Sequence, residues 1–104
     1  MLLTLLACGP SADVAEQGRR VYQASCTACH NPDPTLEGSV GPAVAGSSRE
    51  LIEARVLRGE YPPGYGPKRP TRLMPPLPVL APQIDALAAY LEAAAQSSGE
   101  RARE

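Results

Sequence analysis

The sequence contains no phenylalanine and no tryptophan. Leucine, isoleucine and valine together number 20, and four of the leucines fall within the first six residues, leaving 16 branched aliphatics for a core. So thin a supply would fit a disordered chain if the charge were high, but 11 acids face 10 bases for a net charge of −1. Ala-rich amphipathic stretches also recur, so the missing apolar mass is expected from a disulfide framework, a metal or a cofactor. The balanced charge excludes an extended polyanion-binding surface, and nucleic acid is not an expected partner. No apolar run approaches the roughly 18 residues that a membrane-spanning helix needs. At 104 residues the chain fits one domain. Histidine occurs once, methionine twice and cysteine three times, and these scarcities carry most of the chemistry.

The first cysteine follows a short uncharged apolar leader. Residues 1–7 are followed by Cys8-Gly9-Pro10-Ser11, and Leu5-Leu6-Ala7-Cys8 resembles the lipobox of a bacterial lipoprotein signal. By that resemblance residues 1–7 are a signal peptide that is removed, Cys8 carries the lipid, and residues 8–12 form a lipid-anchored linker on the periplasmic side of a bacterial membrane. The leader has no basic start and barely the apolar length of an export signal. An ordinary secretory leader with an idle Cys8, giving a soluble periplasmic protein, is the alternative.

Cys26-Thr27-Ala28-Cys29-His30 is a C-x-x-C-H sequence, the pattern of c-type haem attachment. Two thiols three positions apart on a helical turn share a face, where each is placed to add to one haem vinyl group, and the next residue puts an imidazole under the iron. A thioredoxin-like dithiol would need a βαβ setting, and no strand alternation precedes Cys26. A structural zinc would need four ligands, and the chain has neither a second histidine nor a second C-x-x-C. A plain disulfide would leave His30 unexplained. Composition then narrows the axial ligands. His30 is the only histidine, and with Met1 in the leader Met74 is the only thioether available. Met74 stands before Pro75 and Pro76, which forbid helix and hold the loop extended. The alternative for Met74 is core filler. Thioether ligation favours Fe(II) and raises the potential.

With these residues in view, residues 13–95 resemble a class I monohaem c-type cytochrome. The resemblance rests on Gly18-x-x-x-Tyr22-x-x-x-Cys26-x-x-Cys29-His30 and on Gly41-Pro42. It implies an all-α cytochrome c fold, with three to four short helices and Pro/Gly-rich loops wrapped around one covalent haem c. It also implies that Gly18 admits a close crossing by the last helix at Tyr90, and that the Pro42 carbonyl accepts the His30 Nδ1 proton. Asp13 with Glu16 reads as a capping pair for the first helix, whose face holds Val14, Gly18, Val21 and Tyr22. Ser47-Ser48-Arg49-Glu50 reads as a capping box for a helix with Leu51, Ile52, Val56 and Leu57, closed by Gly59. Pro82 is expected in the first turn of the last helix, with Ile84, Leu87, Ala88 and Leu91 on its face, and residues 96–104 as a polar flexible tail. Between Tyr61 and Thr71 a proline-rich loop offers Tyr61, Tyr65, Lys68, Arg69 and Arg72 as donors to haem propionates, or else is merely solvated.

The resemblance implies single-electron transfer between protein redox donors and acceptors, by a monomer that is not itself an enzyme: two strong ligands leave no open iron position, and no acid, base or nucleophile constellation competes. A docked haem subunit of an oxidoreductase and a haem-based ligand sensor are the rival readings. Residues 49–72 carry six bases and three acids, a mildly basic region that would favour acidic partners.

Overall fold

The computed structural model describes residues 12–69 and 74–103. Its elements, in order, are helix α1 (Ala12–Ser25), helix α2 (Arg49–Glu53) running into a π-helical turn (Ala54–Arg58), a 3₁₀ segment (Pro78–Gln83) and helix α3 (Ile84–Arg103). No strand occurs among the described residues. Cys8, its linker and Arg72 lie outside them.

The frame is the packing of α1 on α3. Gly18 and Tyr22, one turn apart, are the buried positions of α1. A Cβ on Gly18 would stand 1.9 Å from the carbonyl oxygen of Ala86 and 2.8 Å from Cβ of Tyr90, so only glycine lets the two backbones approach this closely. Tyr22 and Tyr90 meet with ring centroids 5.5 Å apart, tilted by 50°. Val21 packs against the core, whereas Val14, a turn nearer the amino end than the crossing, is 36% exposed. Asp13 and Glu16 do not form the expected capping pair. Asp13 lies inside the first turn of α1, where its charge suits the positive helix end, and the Glu16 carboxylate binds Arg19 one turn on. That guanidinium holds the Glu16 carboxyl below its ordinary range.

Helix α2 starts one residue later than the capping box places it. Ser48 is the cap, its hydroxyl accepting from Leu51 N at 3.1 Å, while Ser47 Oγ donates to the Val44 carbonyl. Glu50 therefore falls one position short of reaching back. Gly59 ends the π turn with φ of 67°, the left-handed conformation expected of a helix-closing glycine. At the other end Pro82 sits inside the 3₁₀ segment, and α3 opens only after it, at Ile84. Helix α3 also continues to Arg103, through the stretch expected as a flexible tail. Residues 96–103 contain no proline, and a helix already begun propagates at little cost through Gln96 and residues 100–103 in spite of Ser97, Ser98 and Gly99. The core cluster is Tyr22, Ile52, Val56, Ile84, Leu87 and Leu91. No helix among the described residues is long and apolar enough to cross a membrane.

Candidate functional site

The hydrogen bonding of α1 does not stop at Ser25. Cys26 N donates to Tyr22 O at 2.9 Å and His30 N donates to Cys26 O at 2.9 Å, so one further helical turn carries Cys26, Cys29 and His30 away from the crossing with α3. The Tyr22 hydroxyl secures the exit of this turn by donating to the Asn31 carbonyl at 2.5 Å. Both cysteines are free thiols, half-buried. Burial pushes the Cys26 thiol up to about 11, so it stays protonated at neutral pH. A dithiol redox site needs the opposite shift, toward thiolate. No group of three or more His, Cys, Asp or Glu side chains among the described residues is placed to hold a metal ion.

His30 is oriented by its neighbours. Its Nδ1 lies 2.9 Å from the Pro42 carbonyl, and since a carbonyl only accepts, Nδ1 carries a proton, which in the neutral ring leaves Nε2 as the acceptor nitrogen. A Cβ at Gly41 would come within 2.5 Å of Nδ1 and Cε1 of the ring, so the imidazole occupies the space a side chain would fill. The loop that supplies Pro42 is tied back on the motif: Val40 N and Gly41 N both donate to Cys29 O, at 3.3 and 2.9 Å.

The second wall comes from the π turn. There Glu60 N, one residue past the left-handed Gly59, donates back to Ala54 O at 3.0 Å and closes the helix end. The Val56 carbonyl, in the last turn where helix carbonyls lack an onward donor, accepts from Leu77 N at 2.5 Å, and Pro76 packs over Gly59. The Pro75-Pro76 segment is thereby docked, and half-buried Met74 just before it faces the same cleft as the haem-attachment motif.

That cleft is open to solvent on one side. Cys26, Cys29, His30, Pro42 and Met74 all line it, against apolar walls from Val44, Ile52, Val56, Leu87 and Leu91. Tyr61, Tyr65, Lys68 and Arg69 line it too, and so does Arg55, which the sequence reading did not single out. Arg55 lies 4.2 Å above the Tyr61 ring, and Tyr61 stacks on Tyr65 with centroids 5.5 Å apart. Lys68 donates to the Ala43 carbonyl, and Arg69 to the Val40 carbonyl and the Glu37 carboxylate. The neighbouring Arg69 holds the Glu37 carboxyl below its ordinary range. The basic balance of residues 49–72 is thus partly spent on acids outside the segment, Glu37 for Arg69 and Asp85 for Arg49.

A protein-family model described as cytochrome c oxidase, cbb3-type, subunit III matches residues 13–91. No curated protein matches the chain. No solved structure matches it either.

Proposed function

The chain belongs to this family of c-type cytochrome domains, whose work is haem-based electron transfer, and on that premise we propose a single-electron carrier holding one haem c between Cys26 and Cys29, with His30 and Met74 as axial ligands. The observation that carries the proposal is the meeting of two thiols, an imidazole and a thioether in one apolar cleft, contributed by two segments 44 residues apart at His30 and Met74. The donor set fits the group: sulfur nucleophiles for two thioethers, one nitrogen and one sulfur for iron, and a ring pocket at Gly41 with a carbonyl on Nδ1 that directs ligation to Nε2 of the neutral His30 ring. When bound, the haem supplies the one-electron Fe(III)/Fe(II) couple.

The chain's own residues do the rest. Pro42 fixes the His30 tautomer and strengthens the imidazole as a donor. The apolar walls keep water from most of the cleft, which favours the less charged reduced state. Tyr61 and Tyr65 offer hydroxyl donors for the propionates, and Arg55 offers the guanidinium nitrogens left over from its bond to the Gly59 carbonyl, as Lys68 and Arg69 do beyond their bonds to Ala43, Val40 and Glu37. With both axial positions taken by protein, the domain is a carrier rather than an enzyme. Its partners are redox proteins, and its place is the periplasmic face of a bacterial membrane, anchored through lipid at Cys8.

The test is the optical spectrum of the holoprotein and of Met74→Ala. A weak far-red sulfur-to-iron band in the oxidised protein, lost in the variant, is the expected result. Covalent haem without that band in the parent protein would overturn Met74 as ligand and bring forward the ligand-sensor reading, which binding of carbon monoxide to the reduced protein would then support. A second reading, a docked haem subunit of an oxidoreductase, is favoured by the matched family's description as an oxidase subunit. Purification as a stable free monomer would count against it.

A further inference from the structure

Four successive carbonyls run past His30, and each has a donor. Val40 O accepts from Arg69 Nη1 at 3.1 Å, Gly41 O from Gly38 N at 2.9 Å, Pro42 O from His30 Nδ1 at 2.9 Å, and Ala43 O from Lys68 Nζ at 2.8 Å. The first and last of these bonds come from side chains 29 and 25 residues downstream. Arg69 is held in turn by the Glu37 carboxylate, so its guanidinium bridges an acid before the run and a carbonyl within it.

We propose that Lys68 and Arg69 are positioning residues for His30: they clamp residues 40–43 from outside so that the Pro42 carbonyl stays on the Nδ1 proton. The inference rests on the haem reading above and adds two residues to its machinery. The need for a clamp follows from the sequence of the loop. Residue 41 must be glycine because the imidazole occupies the place of its side chain, and glycine leaves the backbone free to turn. Proline at 42 fixes its own φ but not ψ, and ψ is what aims its carbonyl. Backbone bonds hold the loop on both sides, Val40 N and Gly41 N on Cys29 O and Val44 N and Ala45 N on Pro34 O, but none of them grips the carbonyls of Val40 and Ala43, one on each side of Pro42 O, and the Arg69 and Lys68 bonds add that restraint. Both outer bonds use ionised donors, the stronger class of hydrogen bond. A role confined to haem propionates would leave the Nδ1 bond indifferent to these two side chains.

The test uses holoprotein of the parent sequence, of Lys68→Met, Arg69→Met and their combination, and of Arg69→Lys. In the reduced state, NMR reads solvent exchange of the His30 Nδ1 proton beside that of the Leu87 and Leu91 amides in α3. The double variant is expected to exchange the Nδ1 proton about fivefold faster, the scale of losing one or two exposed charge-assisted bonds, with the two amides unmoved. Arg69→Lys should recover part of the difference from Arg69→Met. An unchanged Nδ1 rate, or an acceleration shared equally by the amides, would overturn the proposal. Covalent haem content of the parent protein, measured on the same sample, reports the haem reading alone and so separates the two failures. Should the double variant not accumulate, the single variants carry the same comparison.

Discussion

The backbone N–H of Leu77 donates to the carbonyl of Val56 across the cleft wall, at 2.5 Å. The Val56 carbonyl is free to accept because it lies in the last turn of its helix, just before the left-handed Gly59, and the bond fixes the segment that follows Met74. A helix end thus becomes the anchor for a loop that no regular element holds.

Gly59 ends that turn with φ of 67°, in contact with Pro76. Gly59→Ala should destabilise the fold by about 1–2 kcal/mol, the cost of a left-handed conformation for a residue with a Cβ. Urea unfolding would show it as a lower midpoint at unchanged slope. A midpoint equal to the parent's would refute the strain argument.

At the crossing of α1 and α3, Gly18→Ala places a methyl group against the Ala86 carbonyl, which is backbone and cannot swing aside. Overpacking of about 1–3 kcal/mol should exceed the helix-propensity gain of about 1 kcal/mol. Gly18→Val should be worse. Thermal unfolding of the holoproteins checks both, and a stabilised Gly18→Ala would mean that the helices separate easily.

Gly41→Ala should displace the His30 ring from Pro42, since the new methyl would fall 2.5 Å from Nδ1. The imidazole then becomes a weaker donor, Fe(III) loses stabilisation, and the reduction potential rises by about 10–50 mV, equivalent to part of one hydrogen bond. Redox titration decides the sign.

Burial raises the hydroxyls of Tyr22 and Tyr90 above their ordinary 10.0. The folded protein therefore keeps protons that the unfolded chain gives up, so stability is whole below about pH 10 and falls as pH rises beyond it. Tyr22→Phe should flatten this alkaline loss while costing about 1 kcal/mol at neutral pH, because the bond to the Asn31 carbonyl disappears. Chemical unfolding between pH 7 and 11 reads both effects.

What could be read from the chain alone was what local chemistry decides. The C-x-x-C-H turn and the closing glycine at 59 each follow from a residue type with few alternative uses, whereas the meeting of Gly18 with Tyr90 was implied only by the family resemblance. The π turn at 54–58 was not readable, because an extra residue per turn leaves no mark in a helical hydrophobic pattern. The choice of Ser48 over Ser47 as cap depends on Ser47 bonding back to Val44, a contact set by the preceding loop. The continuation of α3 to Arg103 rests on propagation from a packed start, where composition alone suggested a tail.

The pairing of α1 with α3 also joins the two ends of the described chain. Gly18 meets Ala86 and Tyr90 across a sequence separation of about 70 residues, so every loop that lines the cleft lies inside one closed circuit of backbone. A nick or insertion in any of those loops would leave two packed helices holding its ends near each other.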